Sequence, residues 1–311
     1  MNQINKSAGH IDIQINEKFS TNLFDRYINY LDATPKTVQT YTRALKQFMG
    51  YLSQNEITTP QRKDIIAYKT YLKSTGKKPT TITSYIVAVR LFFQWTNQEK
   101  LYPDIAHKIK GAKLERAYKK DYLTTEQIQD VLIHIDTTTI TGARDYAVIA
   151  LMVTGGLRTI EVVRADITDI RNVGDSPALY IQGKGQEEKT DYIKIPLQVF
   201  KAIGRYRERL DEQSKPLFTS TSNNNKGQRL TTRSISGLVK KRFKDAGYNS
   251  ERLTAHSLRH TAGTLNLMNG GTLEETQQLL RHSNINTTMI YLHHLERENN
   301  KSEQRIADAL F

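Results

Sequence analysis

Between Leu101 and Asp121 the chain loses every regular periodicity. The stretch holds Pro103 and Gly111 and carries Lys108, Lys110, Lys113, Arg116, Lys119 and Lys120. Ahead of it apolar residues recur at helical spacing. Behind it helical stretches are interrupted by two short β-patterned runs. An extended, basic, unpatterned segment does not run through a core, so the chain reads as two folding units joined by a linker. With 311 residues, each unit can bury a core of its own.

The first unit reads as four amphipathic helices. Phe19, Leu23, Phe24, Tyr27, Ile28 and Leu31 lie at helical spacing. Thr34-Pro35 opens a second helix, with proline at its first position, carrying Val38, Tyr41, Leu45, Phe48 and Leu52. A third is expected from about Pro60 to Leu72 and a fourth from about Thr80 to Asn97, the latter with Phe92, Phe93 and Trp95 as core residues. Lys73, Lys77 and Lys78 lie in a basic loop, Lys73–Pro79, suited to phosphate. Residues 1–16 are polar and expected to be loose. The expected domains are therefore 1–16, a helical unit 17–108, a linker 109–121 and a second unit 122–311.

The chain has 45 Lys+Arg against 32 Asp+Glu, a net charge of +13. Residues 1–110 alone hold 16 basic and 8 acidic side chains, which makes the first unit the candidate clamp for a polyanion. Lys110, Lys113, Lys119 and Lys120 of the linker are candidates for the same contact. Cysteine is absent, which excludes disulfides and thiolate metal sites. No window approaches a membrane span and residues 1–20 lack a signal-peptide core, so a cytoplasmic protein is expected.

In the second unit, Thr124 opens a helix, and an apolar helix over Tyr146–Val153 ends at Thr154-Gly155-Gly156. Strands are expected at Ala178–Gln182 and Tyr192–Ile195, turning at Gly183-Lys184-Gly185. Helices follow near Gln198–Leu210, Thr232–Ala246, Ser257–Met268, Leu273–Leu280 and Thr287–Tyr291. A last apolar stripe, Ile306, Ala307, Leu310 and Phe311, follows the charged run Glu296-Arg297-Glu298. The fold class expected is mainly α with a small β-sheet.

The residues that carry chemistry are spread over this unit. Arg158 follows Thr154-Gly155-Gly156-Leu157, glycines that allow a tight turn at a helix end. Glu161, one helical turn on, is placed to orient an arginine. His256 and Arg259 are three apart, hence on one helical face and able to reach one phosphate together. His256-x-x-x-His260 has zinc spacing, but Ser257 stands where the metalloprotease pattern needs glutamate, so no metal site is expected. Leu280-Arg281-His282-Ser283-Asn284 precedes Tyr291, nine residues beyond His282. Arginine forks and imidazole donors suit the charge that grows on a phosphodiester under attack, and a tyrosine can supply the nucleophile.

This constellation resembles the active site of the tyrosine recombinases, which include phage integrases and the Xer proteins. Thr154–Glu161 is similar to the family's Thr-Gly-Leu-Arg-x-x-Glu, with one glycine inserted. Leu280–Tyr291 is similar to Leu-Gly-His-Ser-x-x-x-Thr-Thr-x-x-Tyr, with Arg281 where glycine is usual. The resemblance implies a helical core-binding (SAM-like) domain before an α+β catalytic domain. It implies that Tyr291 attacks a scissile phosphate held by Arg158, Arg259 and His282, with His256 assisting proton handling and His260 packing. Lys184 matches the family's hairpin lysine, which protonates the leaving 5′ oxygen. The hairpin here continues Gln186-Glu187-Glu188-Lys189-Thr190, longer and more acidic than the family's, so Lys189 is a rival for that role.

The implied reaction is site-specific recombination through a 3′-phosphotyrosyl link, without a metal or other cofactor. The implied partner is double-stranded DNA, with four subunits on two sites and a monomer possible in free solution. The short lead before the first helix implies no arm-site-binding domain. Two alternatives stay open: strand passage like that of type IB topoisomerases, and DNA binding without cleavage.

Overall fold

The computed structural model describes residues 21–113, 121–183, 188–210, 214–298 and 300–311, with the side chains of 21, 22 and 293–298 left aside. Residues 1–16, Lys119, Lys120 and Lys184 lie outside the described residues. The chain divides into two compact units, Met1–Ala117 and Tyr118–Phe311.

In the first unit the described helices are α1 (Thr21–Tyr30), α2 (Pro35–Gln54), α3 (Arg62–Ser74) and α4 (Pro79–Gln98). Proline opens both α2 and α4, where its missing N–H costs nothing and its fixed φ suits a helix. Thr34 caps α2 by accepting from the Thr37 N–H. The apolar faces meet in one core: Leu45, Phe48, Ile65, Tyr68, Leu72, Ile86, Val89, Phe92 and Phe93 are fully buried, each large side chain contributing about 1.5–3 kcal/mol. The aromatic residues of α4 belong to this core, as their spacing predicts. Tyr27 packs edge-on against Phe92, with ring centroids 5.3 Å apart. Lys73 closes the last turn of α3 and Lys78 caps α4; both are exposed, and Lys77 between them is half-buried. The chain beyond α4 stays on this unit at least to Ala112: Arg62 donates to the His107 carbonyl (2.6 Å) and Lys69 to that of Lys110 (2.9 Å). Lys110 and Lys113 themselves are exposed.

The second unit is built around α6 (Ile140–Gly155), which follows α5 (Thr125–Ile133). Val148, Ile149, Leu151 and Met152 are buried on every side of α6, as expected of a helix that is apolar all round. The short α7 (Thr159–Arg164) leads into an antiparallel sheet of β1 (Ile170–Val173), β2 (Ser176–Ile181) and β3 (Asp191–Lys194), in the order β1-β2-β3. Leu179 pairs with both Ile170 and Ile193, and Leu179, Ile181 and Ile193 are buried. The helices α8 (Leu197–Arg207), α9 (Thr232–Asp245), α10 (Ala255–Met268), α11 (Leu273–Leu280), α12 (Asn286–Glu298) and α13 (Ser302–Leu310) complete the unit. Strand β1 and helix α7 go beyond the elements expected from sequence: β1 is four residues with only half-buried ends, too short and polar to show a period.

The buried aspartates of this unit are paired. Asp145 accepts from Arg144 (2.7 Å) and from Arg242 (2.8 Å). Asp166 and Asp169, beside the sheet, hold Lys189, and Asp166 also takes Arg229 at 2.5 Å.

Candidate active site

Two turns and two helix faces of the second unit converge. The first turn follows α6. Gly156 caps that helix at φ +56°, and a Cβ there would come within 2.8 Å of Leu280. Glycine is required twice over, by the left-handed backbone and by the close approach of the second turn. The second glycine of the pair is thus the one that turns the chain. Leu157 then drops into the core and Arg158 stands at the start of α7. Glu161, fully buried, accepts from the Arg158 N–H (2.8 Å) and from the Arg158 guanidinium (2.8 Å). Burial alone would raise the Glu161 carboxyl, but its ion pair with Arg281 and the Arg158 hydrogen bonds outweigh this and leave its pKa below the usual carboxylate range.

Helix α10 supplies the next group. His256, Arg259 and His260 share a face because their spacings are three and four. Arg259 is 1% exposed. It donates through Nη1 to the Gly156 carbonyl at 2.5 Å and through Nη2 to the Leu280 carbonyl. Burial, then repulsion from Arg158 and Arg281, pulls its pKa down to about 9, so it is still a cation at neutral pH. Two of its five N–H donors are engaged in these two bonds. His256 lies edge-on to His260, ring centroids 4.5 Å apart.

The second turn joins α11 to α12. Arg281 caps α11 in the left-handed region, at φ +50°. For a residue with a Cβ that conformation costs about 1–2 kcal/mol, which accounts for a preference for glycine at such a site. Here both terminal nitrogens of the guanidinium are bound, while Nε is buried without a hydrogen-bond partner. The guanidinium donates to the carbonyls of Leu279 (2.6 Å), Gly155 (3.2 Å) and Gly156 (3.1 Å) and to the Glu161 carboxylate (2.9 Å). His282 follows, its Nδ1 2.9 Å from the Thr288 hydroxyl. Burial first, then the charges of Arg259, Arg158 and Arg281 and of His256, push its pKa down to about 4. The imidazole is therefore neutral at pH 7, and in the tautomer whose Nδ1 accepts from Thr288, Nε2–H is a donor.

Tyr291, on α12, is 5% exposed and packs on Ala262 and Leu280. Its ring stacks parallel to His282 at 6.5 Å, and its hydroxyl lies 2.6 Å from His260 Nδ1. The four turns and faces thus bring Arg158, Glu161, Arg259, His282 and Tyr291 into one linked network, with His256 joined to it through His260. Lys184 lies outside the described residues. Lys189 is described and is engaged elsewhere, donating to the Arg164 carbonyl (3.1 Å), to Asp166 (3.1 Å) and to Asp169. Among the described residues no group of three or more His, Asp or Glu side chains is arranged to hold a metal ion.

Sequence reasoning assigned His260 to packing and read Arg281 only as a departure at a turn. His260 is buried, as packing requires, yet it also holds the Tyr291 hydroxyl. The four-residue spacing from His256 was the signal that could have placed it on the same face. Thr288, fully buried against His282, was missed as well; the Thr287-Thr288 pair was its only trace.

Comparison with known proteins identifies the family. The phage integrase family model matches residues 121–298, and the phage integrase N-terminal SAM-like domain matches residues 23–100. The chain belongs to the phage integrase family of tyrosine recombinases. Among its relatives, tyrosine recombinase XerC of Actinobacillus pleuropneumoniae is 31% identical over 275 residues, 86% of this chain and 87% of that protein. Tyrosine recombinase XerD of Listeria monocytogenes is 30% identical over 272 residues, 83% of this chain and 87% of the relative. In fold the chain is similar to XerH site-specific recombinase bound to palindromic difH substrate, a post-cleavage complex, with TM-score 0.67 and 21% identity over 86% of this chain and 80% of that one. It is likewise similar to a lambda integrase dimer bound to a COC′ core site, with TM-score 0.68 and 18% identity over 85% of this chain and 95% of that one. This recombinase is accordingly a site-specific enzyme that cleaves and rejoins DNA, with a helical SAM-like domain ahead of a mixed catalytic domain.

Proposed function

We propose that Tyr291 is the nucleophile of this recombinase and forms a 3′-phosphotyrosyl link to double-stranded DNA. The observation that carries this reading is the linked network of Arg158, Arg259, His282 and Tyr291, drawn from four separate elements. The phenolic oxygen attacks phosphorus as its proton passes to the histidine pair, His260 being 2.6 Å away and His256 edge-on to it. Arg158, Arg259 and the neutral His282 donate to the non-bridging oxygens, whose charge grows in the transition state. The P–O5′ bond breaks and Lys184 gives its proton to the departing oxygen. Lys189 is less suited to that role, because Asp166 and Asp169 hold its ammonium. The link keeps the phosphodiester energy, so a 5′ hydroxyl from a second site can attack it in turn and complete strand exchange.

Lys73, Lys77, Lys78, Lys110, Lys113, Lys119 and Lys120 are proposed to contact the DNA backbone, with the first domain and the linker gripping the duplex. The working assembly is proposed to be four subunits on two sites. Its support is the end of the chain, where Ile306 is 60% exposed and Leu310 70%, an apolar stripe free to dock on a neighbour. Among the described residues no helix is long and apolar enough to cross a membrane, and the cytoplasm, where the DNA lies, is the proposed location.

The test is covalent capture. A site is first selected from a pool of randomised duplex DNA by wild-type adduct formation, then rebuilt with a nick next to the cleaved phosphate. Tyr291→Phe should form no protease-sensitive adduct while binding the same duplex with wild-type affinity, since only one oxygen is lost. An adduct at wild-type yield would move the nucleophile to another tyrosine.

A further inference from the structure

Arg281 occupies a position whose backbone favours glycine, at φ +50°, yet its guanidinium is bound on several sides. The side chain is 10% exposed and joins groups from two separate turns. On the α6–α7 turn it reaches the carbonyls of Gly155 (3.2 Å) and Gly156 (3.1 Å) and the Glu161 carboxylate (2.9 Å). On its own turn it holds the Leu279 carbonyl at 2.6 Å. Two of these acceptors are shared with the site's other arginines. Glu161 also receives the Arg158 N–H and guanidinium, and the Gly156 carbonyl also receives Arg259.

We propose that Arg281 is a positioning residue for strand cleavage: its guanidinium pins the turn that presents Arg158 to the turn that presents His282, so that both meet one phosphate in register. The proposal rests on the cleavage reading above, and it adds a residue that touches no reacting atom. A planar fork suits the task because it serves a carboxylate and several carbonyls at once; an ammonium with the same charge cannot span them. The third guanidinium also shapes the charge around His282. That imidazole faces Arg259 and His256 from α10, Arg158 from the α6–α7 turn, Arg281 from its own turn and the Tyr291 ring from α12. The carboxylates of Glu161 and, after it, Asp191 offset part of the Arg281 charge, and the remainder helps to keep His282 neutral.

The experiment uses the full chain and its Arg281→Gly and Arg281→Lys variants. Glycine suits the backbone at φ +50°, so the first variant should fold. The probe is the nicked duplex obtained by selection. Single-turnover cleavage should fall about 10- to 100-fold in Arg281→Gly, the scale of a small misplacement of reacting groups. The dissociation constant for the duplex should stay within about twofold, and Arg281→Lys should not restore the rate. In parallel, NMR titration of carbon-13-labelled imidazoles, with His282→Asn to assign the signal, should show His282 titrating higher in Arg281→Gly, moving from about 4 towards 6.5. Wild-type cleavage by Arg281→Gly would overturn the proposal. So would losses of cleavage, duplex binding and thermal stability in equal proportion, which mark a purely structural staple. If the wild-type chain forms no adduct on any duplex of the pool, the cleavage reading fails, and the imidazole titration still decides whether Arg281 organises this site.

Discussion

His282 shows how one residue ties the chemistry to the stability of the fold. Its imidazole ionises near 6.5 in the unfolded chain and near 4 in the folded one, because burial and the surrounding arginines disfavour its charge. Between those values the unfolded state binds the extra proton, so the native state loses stability as pH falls. The contribution is fully present above about pH 6.5 and is lost as pH falls towards 4. Because the side chain is partly exposed, the loss is on the order of 1–2 kcal/mol rather than the full shift. Thermal unfolding of the full chain at intervals from pH 6.5 to 4.5 should therefore show a falling midpoint, and His282→Asn should flatten that slope. An unchanged slope in His282→Asn would mean that His282 is not held neutral. Glu161 and Asp166, whose pKa values are lowered, give up their contributions at more acid pH.

At the scale of elements, the β2–β3 hairpin holds Lys189 against two aspartates, which bears on the acid proposed above. The sequence leaves Lys184 and Lys189 as rivals because both follow β2 within a few residues. Lys189 lies against Asp166 and Asp169, which are 8% and 4% exposed; without it Asp166 would keep Arg229, whereas Asp169 would lose this ion pair. Lys189→Ala should lower stability by roughly 2–3 kcal/mol, as expected when one partner of a partly buried ion cluster is removed. Its cleavage defect should not be relieved by a substrate with a bridging 5′-phosphorothiolate, whose thiolate leaves without an acid. Lys184→Ala should behave in the opposite way: normal stability, lost cleavage, and recovery on the sulfur substrate. If recovery appears only in Lys189→Ala, the roles are reversed.

For the whole molecule the end of the chain is the element with work left to do. α13 carries Ile306 and Leu310 exposed, followed by an exposed Phe311, and none of its residues is buried in the chain's own core. Deleting Ile306–Phe311 should leave a folded protein that binds a single site normally but yields little two-site synaptic complex and recombinant product. Gel-shift and recombination assays on the truncation measure both. Undiminished two-site recombination would show that the tail does not join subunits.

Much of this was legible along the chain because local physics writes it there. Helical spacing marked α2, α4 and α11, proline and threonine marked the start of α2, and the ordered set Arg158, His256, Arg259, His282 and Tyr291 carried the chemistry. These features depend on neighbours within one or two turns, where period and capping act. What sequence could not supply were the contacts between distant turns. The Tyr291 hydroxyl meets His260 across 31 positions, and Arg281 meets Glu161 across 120. The same holds for Lys189, bound to aspartates at 166 and 169 that no spacing rule connects to it. Such pairings follow from how α6, α10 and α11 pack, and packing is set by the summed shape of a core rather than by any short pattern. The order of the proposed catalytic residues is a property of the chain; their distances, partners and protonation are properties of the fold.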